Sequence, residues 1–439
     1  MLDLMKKMNK IPCACGKTHS FDSEIYAGKG AVNNIPEILK KHKSKKIYVF
    51  ADKNTYEIGG KQVEQLLKNN NFDYSLYVYT ESPKPDEKGL GSAMMHCPQN
   101  ADTVIAVGSG VINDIGKMLT SISNKTYIIV STAPSMDGYA STSSSMCCDG
   151  LKVSLSSKSA DVIIGDTDIM KTAPVKMMLS GLGDMIAKYT SICEWRISNI
   201  LTGEYYCENI ANLIRLALKS CIDIADGIEE KSDCAVEALF GGLIIGSVAM
   251  NYAGLSRPAS GSEHYISHII DMRSEEFGTM AELHGIQCAI GTYVAVKLYE
   301  DLKKEIPSYE KGIQYAESFD FEDWSERLRK LVGKGAESMI LLEAKEGKYR
   351  KDYHEKRLKL IIKKWEDILS IINEELPSVK ELDALYEKLG IPKSATEIGT
   401  DKSLLPEIFR ASKDIRDKYV LPRLLWDIGV LDEYAEKII

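Results

Sequence analysis

The chain has 439 residues, 44% hydrophobic, 8% aromatic and 27% charged, enough to bury the cores of two or three domains. Its net charge of −8 argues against nucleic-acid backbones and anionic membrane surfaces as main partners, because both require a positive field. Ten scattered cysteines and a start, Met1-Leu2-Asp3-Leu4-Met5-Lys6-Lys7, without the apolar stretch of a signal peptide read as reduced thiols in a cytoplasmic protein.

Close to the start, Cys13-Ala14-Cys15-Gly16-Lys17-Thr18-His19 offers three metal-type donors. A closed site takes four, so an ordinary terminal segment is expected. Residues 40–46 read as a charged loop ahead of a strand at 46–51, which ends in Asp52. A helix at 61–69, a strand at 74–79, a helix near 85–95 and a strand at 103–107 follow. That strand opens onto Gly108-Ser109-Gly110 and a helix reaching Ile122, then comes a strand at 127–130, with two more between 152 and 166. Apolar strands alternating with helical patterns indicate βαβ units and a parallel sheet covered on both faces. Beyond Pro174 the pattern is helical almost to the end. The expected fold is an α/β doubly wound parallel-sheet domain over residues 1–173, followed by a mostly α-helical domain over 174–439. The longest apolar run, residues 238–250, is thirteen residues, too short to cross a bilayer; a buried helix is expected there. The basic stretch 347–365 reads as a solvated helix face.

Three stretches carry chemistry. Gly108-Ser109-Gly110-Val111-Ile112-Asn113-Asp114 lies where a parallel strand hands over to a helix, so its amides and the positive helix end can receive a pyrophosphate. Asn113 stands where the third glycine of G-x-G-x-x-G would be. Asp52, at the end of an earlier strand, suits a ribose diol or a helix N-cap. Thr132-Ala133-Pro134-Ser135-Met136-Asp137-Gly138-Tyr139-Ala140-Ser141 follows another strand, lines a cleft with small groups and hydroxyls, and offers the carboxylate of Asp137. Ser180-Gly181-Leu182-Gly183-Asp184 reads as a helix start, with Lys188 one turn beyond.

Three of the seven histidines fall within twenty-one residues, in Ser262-Glu263-His264-Tyr265-Ile266-Ser267-His268 and Leu283-His284-Gly285. His264 and His268 are i and i+4 and share a helix face. With Asp184, two of these imidazoles make a three-ligand set with open positions. Spacing alone does not choose between His264 and His268.

Taken in order, these motifs resemble the sn-glycerol-1-phosphate dehydrogenase family, in the superfamily of dehydroquinate synthase-like and iron-containing alcohol dehydrogenases. The resemblance spans residues 20–295, with a weaker echo at Lys418-Tyr419-Val420-Leu421-Pro422. It implies a dinucleotide-binding half, a helical metal-binding half and a substrate in the cleft between them. Asp184, His264 and His284 match the family's metal ligands. Asp137, Asp184 and His268 match its substrate contacts, and Asp52, Gly108, Gly110, Val111, Ile112, Asn113, Asp114, Thr132, Ala133, Pro134, Ser135 and Ser141 its cofactor contacts. The implied cofactors are NAD(H) or NADP(H) and one divalent metal, with zinc the default over nickel or iron. The implied partner is a small molecule, dihydroxyacetone phosphate or glycerol 1-phosphate, with no nucleic acid and no transmembrane segment; a homo-oligomer is expected. The catalytic set is His268, Asp137 and Lys188, with Lys188 and Arg257 as the candidate cations for a phosphate. A glycerol or other small-alcohol dehydrogenase is the nearest alternative, ahead of a dehydroquinate synthase-like lyase or a non-catalytic dinucleotide binder.

Overall fold

A computed structural model describes residues 2–148 and 151–438. The chain forms two compact units, Met1–Met185 with Asn212–Gly254, and Ile186–Ala211 with Leu255–Ile439. Among the described residues the last strand ends at Asp166, and only helices and loops follow. The change of character therefore falls where composition puts it. The compact units divide the chain at other points than 173/174, because the helix Val175–Ile186 and much of the chain from 212 to 254 belong with the sheet.

In the first unit six strands pair in parallel: β1 (Glu24–Gly28), β2 (Lys46–Asp52), β3 (Asp73–Tyr79), β4 (Thr103–Gly108), β5 (Thr126–Ser131) and, after a hairpin, β8 (Val162–Asp166). Their order is β1-β8-β5-β4-β2-β3. The antiparallel hairpin is β6 (Ser143–Cys148) with β7 (Leu151–Ser156). Side chains alternate between the two faces of a strand, and both faces are buried. Ile47, Val49 and Ala51 pack with Ile38, Leu39, Val63 and Leu67 of the helices Ile35–Lys41 and Lys61–Asn69. On the other face, the Tyr48 hydroxyl donates to the Ala93 carbonyl of the helix Glu87–His96 at 2.9 Å. The Tyr127 ring meets the helix Gly110–Ser123 at Gly116, where a Cβ would stand 2.3 Å from the Tyr127 hydroxyl.

Strands β1 and β6 escape the sequence reading for physical reasons. β1 is a half-exposed edge strand, and β6 is Ser-Ser-Ser-Met-Cys-Cys, short of the β-branched and aromatic residues that mark strands. The charged loop expected at 40–46 is shorter, since Lys40 and Lys41 complete a helix. The apolar run lies in the helix Asp233–Ala253. It is long and apolar enough to cross a membrane by length and composition, yet 72% of that window is buried inside the protein.

The expectation of a helix start at Gly181-Leu182-Gly183-Asp184 is corrected. The helix begins at Val175, just after Pro174, and Asp184 lies in its last turn. Pro is suited to that opening. Gly181 matters for packing instead. A Cβ there would stand 2.0 Å from the Pro134 carbonyl oxygen, so glycine lets this helix lie against the loop after β5.

Among its described residues the second unit holds helices and loops and no strand. Two helices, Ser262–Phe277 and His284–Leu302, pack on each other. A Cβ at Gly291 would come within 2.7 Å of the Glu263 backbone, so this glycine allows the close approach that sets His264 beside His284.

Candidate active site

In the first unit the chain leaves β2 for β3 on one side and resumes at β4 on the other. This reversal creates the crevice, outside the carboxyl ends of β2 and β4, where doubly wound sheets take their ligands. Ala51 is in register with Val107, so Asp52 and Gly108 sit side by side at that edge. Asp52 also caps the short helix after β2: its Oδ1 accepts from the amides of Asn54 and Thr55 at 2.8 and 3.0 Å. Ribose partner and helix cap, the two roles open in the sequence, thus coincide at one carboxylate.

The helix after β4 starts at Gly110, and Ser109 makes no side-chain cap. Its first amides therefore face outward beside Ser109 and Gly110, which are partly open, and Val111, which is exposed. The next side chains turn inward. Asn113 Nδ2 donates to the Gly138 carbonyl at 3.1 Å, and its Oδ1 accepts from the Tyr127 hydroxyl. Behind them stands Lys117, buried and not singled out by the sequence reading. Its Nζ pairs with Asp114 at 2.9 Å and donates to Ser141 Oγ and to the carbonyls of Gly138 and Ser143. Burial pushes the Asp114 carboxyl above its ordinary range, and Lys117 opposes that shift. This network joins the start of that helix and the loop 138–143 into one rim.

Thr132, Ala133, Pro134 and Ser135 are buried in the loop after β5. The Ala133 carbonyl accepts from the Tyr139 hydroxyl at 2.6 Å, and the Ser135 carbonyl from Ser180 Oγ at 3.1 Å. Asp184 is fully buried, and its Oδ2 accepts the Asp137 amide at 2.9 Å. Within this unit, then, the Asp137 and Asp184 assigned to substrate are joined by a direct hydrogen bond.

In the second unit the three histidine rings form one cluster. Ring centroids lie 5.1 Å apart for His264 and His284, 5.9 Å for His268 and His284, and 6.4 Å for His264 and His268. His264 Nδ1 pairs with Glu263 Oε1 at 2.8 Å. Glu263 is itself fixed by the Gly261 amide and the Thr190 hydroxyl. His284 Nδ1 meets Ser267 Oγ at 3.1 Å, and Ser267 donates to Gln287 Oε1. The His264 and His284 rings are thus held through Nδ1, which orients their Nε2 as ligand atoms. Donor atoms of His264, His284 and Cys288 all lie within 4.8 Å of one another. This donor set fits a borderline divalent cation, since neutral imidazoles pinned from behind are the usual arrangement at such centres. His268 is more open than His264.

Glu263, Ser267, Gln287 and Cys288 were not foreseen. Glu263 and Ser267 immediately precede two of the histidines, a hint visible only once the helix and its partners are known. A second carboxylate, Glu194, backs this shell. It accepts the Ser262 amide and hydroxyl and the Leu421 amide, and burial together with the charge of Glu263 pushes it up to about 7. The two cations considered for a phosphate have partners within the unit. Lys188 Nζ donates to the Ala259 carbonyl at 3.0 Å. Arg257 Nε binds both oxygens of Glu204 at 2.8 and 2.9 Å.

Residues 26–174 match a family described as iron-containing alcohol dehydrogenase. The glycerol-1-phosphate dehydrogenase (NAD(P)+) of Halalkalibacterium halodurans is 31% identical over 319 residues, 71% of this chain and 80% of that one. The enzyme of the same name from Bacillus licheniformis is 28% identical over 439 residues, 98% of this chain and 96% of its own length. Among solved structures, glycerol dehydrogenase from Schizosaccharomyces pombe matches with a TM-score of 0.61 at 17% identity, covering 96% of this chain and 92% of that one, a likeness of fold. The chain belongs to the glycerol-1-phosphate dehydrogenase family, among the iron-containing alcohol dehydrogenases.

Proposed function

We propose that this chain is an oxidoreductase that reduces dihydroxyacetone phosphate to sn-glycerol 1-phosphate, reversibly, with NAD(P)H as hydride donor and one divalent metal. The observation that carries the reading is the pair His264 and His284, each held through Nδ1 by a polar partner, in a chain of this family. Asp184 completes the proposed ligand set, and zinc is the metal we assign, because two imidazoles and a carboxylate suit it. A cation held there supplies Lewis acidity to the substrate carbonyl.

The chain's own residues do the rest. Glu263 and Ser267 fix the ligand imidazoles, and the Asp137 amide fixes the Asp184 carboxylate. The rim of Gly108, Gly110, Val111 and Ile112 presents amides to the pyrophosphate, while Asn113, Asp114 and Ser141 stiffen it. Thr132 to Ser135 line the same crevice. Asp52 lies at the ribose position, and its charge disfavours a 2′-phosphate, so NAD(H) is preferred to NADP(H). His268, one turn from His264, carries the proton to the product oxygen. Lys188 supports the turn before His264 through the Ala259 carbonyl. The functional protein is a cytoplasmic homo-oligomer in this reading.

The test is NADH oxidation after chelation, with zinc, nickel and ferrous iron restored separately. Dihydroxyacetone phosphate should be reduced far faster than dihydroxyacetone, and chelation should abolish the rate. Equal rates with both ketones would move the chain to the free-polyol dehydrogenases. A rate indifferent to chelation would remove the metal from the mechanism.

A further inference from the structure

The N-terminal hairpin holds a second set of soft donors, remote in sequence from the histidine cluster. Residues 12–18 form a tight turn. Pro12 bridges to Thr18, the Cys13 amide donates to the Lys17 carbonyl at 2.9 Å, and the Gly16 amide donates to the Cys13 carbonyl at 2.9 Å. Gly16 takes φ 83, the left-handed backbone that such a turn requires. The turn brings Cys13, Cys15 and His19 together, with donor atoms within 4.8 Å of one another. Cys15 Sγ is 3.5 Å from His19 Nε2. Ligands of a tetrahedral zinc with Zn–S of about 2.3 Å stand about 3.5–4 Å apart.

His19 is oriented from behind in the manner of a ligand. It is buried, and its Nδ1 meets the Tyr252 carbonyl at 2.9 Å, which leaves Nε2 toward the thiols. The hairpin draws little of its order from apolar burial. Among the described side chains of residues 5–23, only Met5, His19 and Phe21 are buried. So small an apolar contribution calls for a staple.

We propose that Cys13, Cys15 and His19 hold a structural zinc ion that pins the N-terminal segment onto the helix Asp233–Ala253, where Tyr252 also bonds the Met5 carbonyl. A tetrahedral ion takes a fourth donor beyond these three.

The test uses the full chain. The parent should hold about one equivalent of zinc more than C13S/C15S, as a single bound ion predicts, while H264A should lose a different ion, so that the two losses add. Because the double variant can fail to fold, the parent and H264A are also loaded with cobalt(II). Both should show the near-ultraviolet thiolate-to-cobalt absorption, and strong chelation should expose two fast-reacting thiols. Equal zinc in the parent and C13S/C15S, or cobalt spectra without a thiolate band in H264A, would overturn the proposal. Failure of the proposed activity leaves these readouts untouched.

Discussion

The two units treat their polar side chains in opposite ways. In the rim of the first, Asn113, Asp114 and Ser141 turn toward Lys117, Tyr127 and the Gly138 carbonyl, so the surface left for a ligand is mostly backbone amide. In the histidine cluster of the second, the side chains are themselves the donors, and the hydrogen bonds of Glu263 and Ser267 serve to aim them. Damage should follow that contrast: substitutions in the rim cost stability, and substitutions in the cluster cost metal and rate. The largest expected effect is H264A. Losing several kcal/mol of carbonyl polarisation corresponds to a rate lower by ~10³-fold, together with loss of bound metal and little change in unfolding. H268A should keep its metal and lose ~10²-fold in rate. Metal analysis beside steady-state rates decides the matter, and equal loss of metal from both variants would end the division of roles between them.

Lys117 tests the other half of the contrast. Lys117→Met removes the partner of Asp114, whose side chain is only 18% exposed, and takes one donor each from the Gly138 and Ser143 carbonyls. Breaking such a pair costs about 3 kcal/mol, the low end for buried charges because Asp114 keeps some solvent. Urea unfolding should show that loss, with KM for the nicotinamide cofactor raised as the rim loosens. A variant as stable as the parent would mean that the rim is held by its backbone alone.

Much of this arrangement was legible in the sequence. Apolar strands at 46–51, 103–107 and 127–130 gave away a parallel sheet, since strands buried on both faces leave no polar alternation. The histidine density marked the cluster. What escaped depends on partners far along the chain. Lys117 sits in an ordinary amphipathic helix, and only the fold brings Gly138, Ser141 and Ser143 to its Nζ. Gly181 reads as part of a helix start and Gly291 draws no reading, whereas each is a point of close approach, to Pro134 and to Glu263 respectively. The Cys13-x-Cys15 motif reads as an ordinary terminal segment because local spacing supplies three donors where a closed site takes four.

A second lysine sharpens the contrast with Lys117. Lys418 donates to the Ser260 carbonyl and hydroxyl and lies 5.8 Å from the Tyr265 ring centre. Those partners are neutral, and burial together with the charge of Arg257 lowers its ammonium to about 7, while Glu263 and Glu204 oppose the shift and Arg416 adds to it. An unfolded lysine titrates near 10.4. Between those values the unfolded chain binds the extra proton, so this group's contribution to stability is complete above about pH 10.4, declines as pH falls, and levels off below the folded value. The parent should therefore gain stability from about pH 7 to about pH 9.5 by more than Lys418→Met does. Urea midpoints of the two proteins at each pH isolate the difference, because all other groups titrate in both. Parallel profiles would show that Lys418 keeps an ordinary ammonium, and the contrast between a lysine held by a carboxylate and one held by neutral oxygens would lose its energetic meaning.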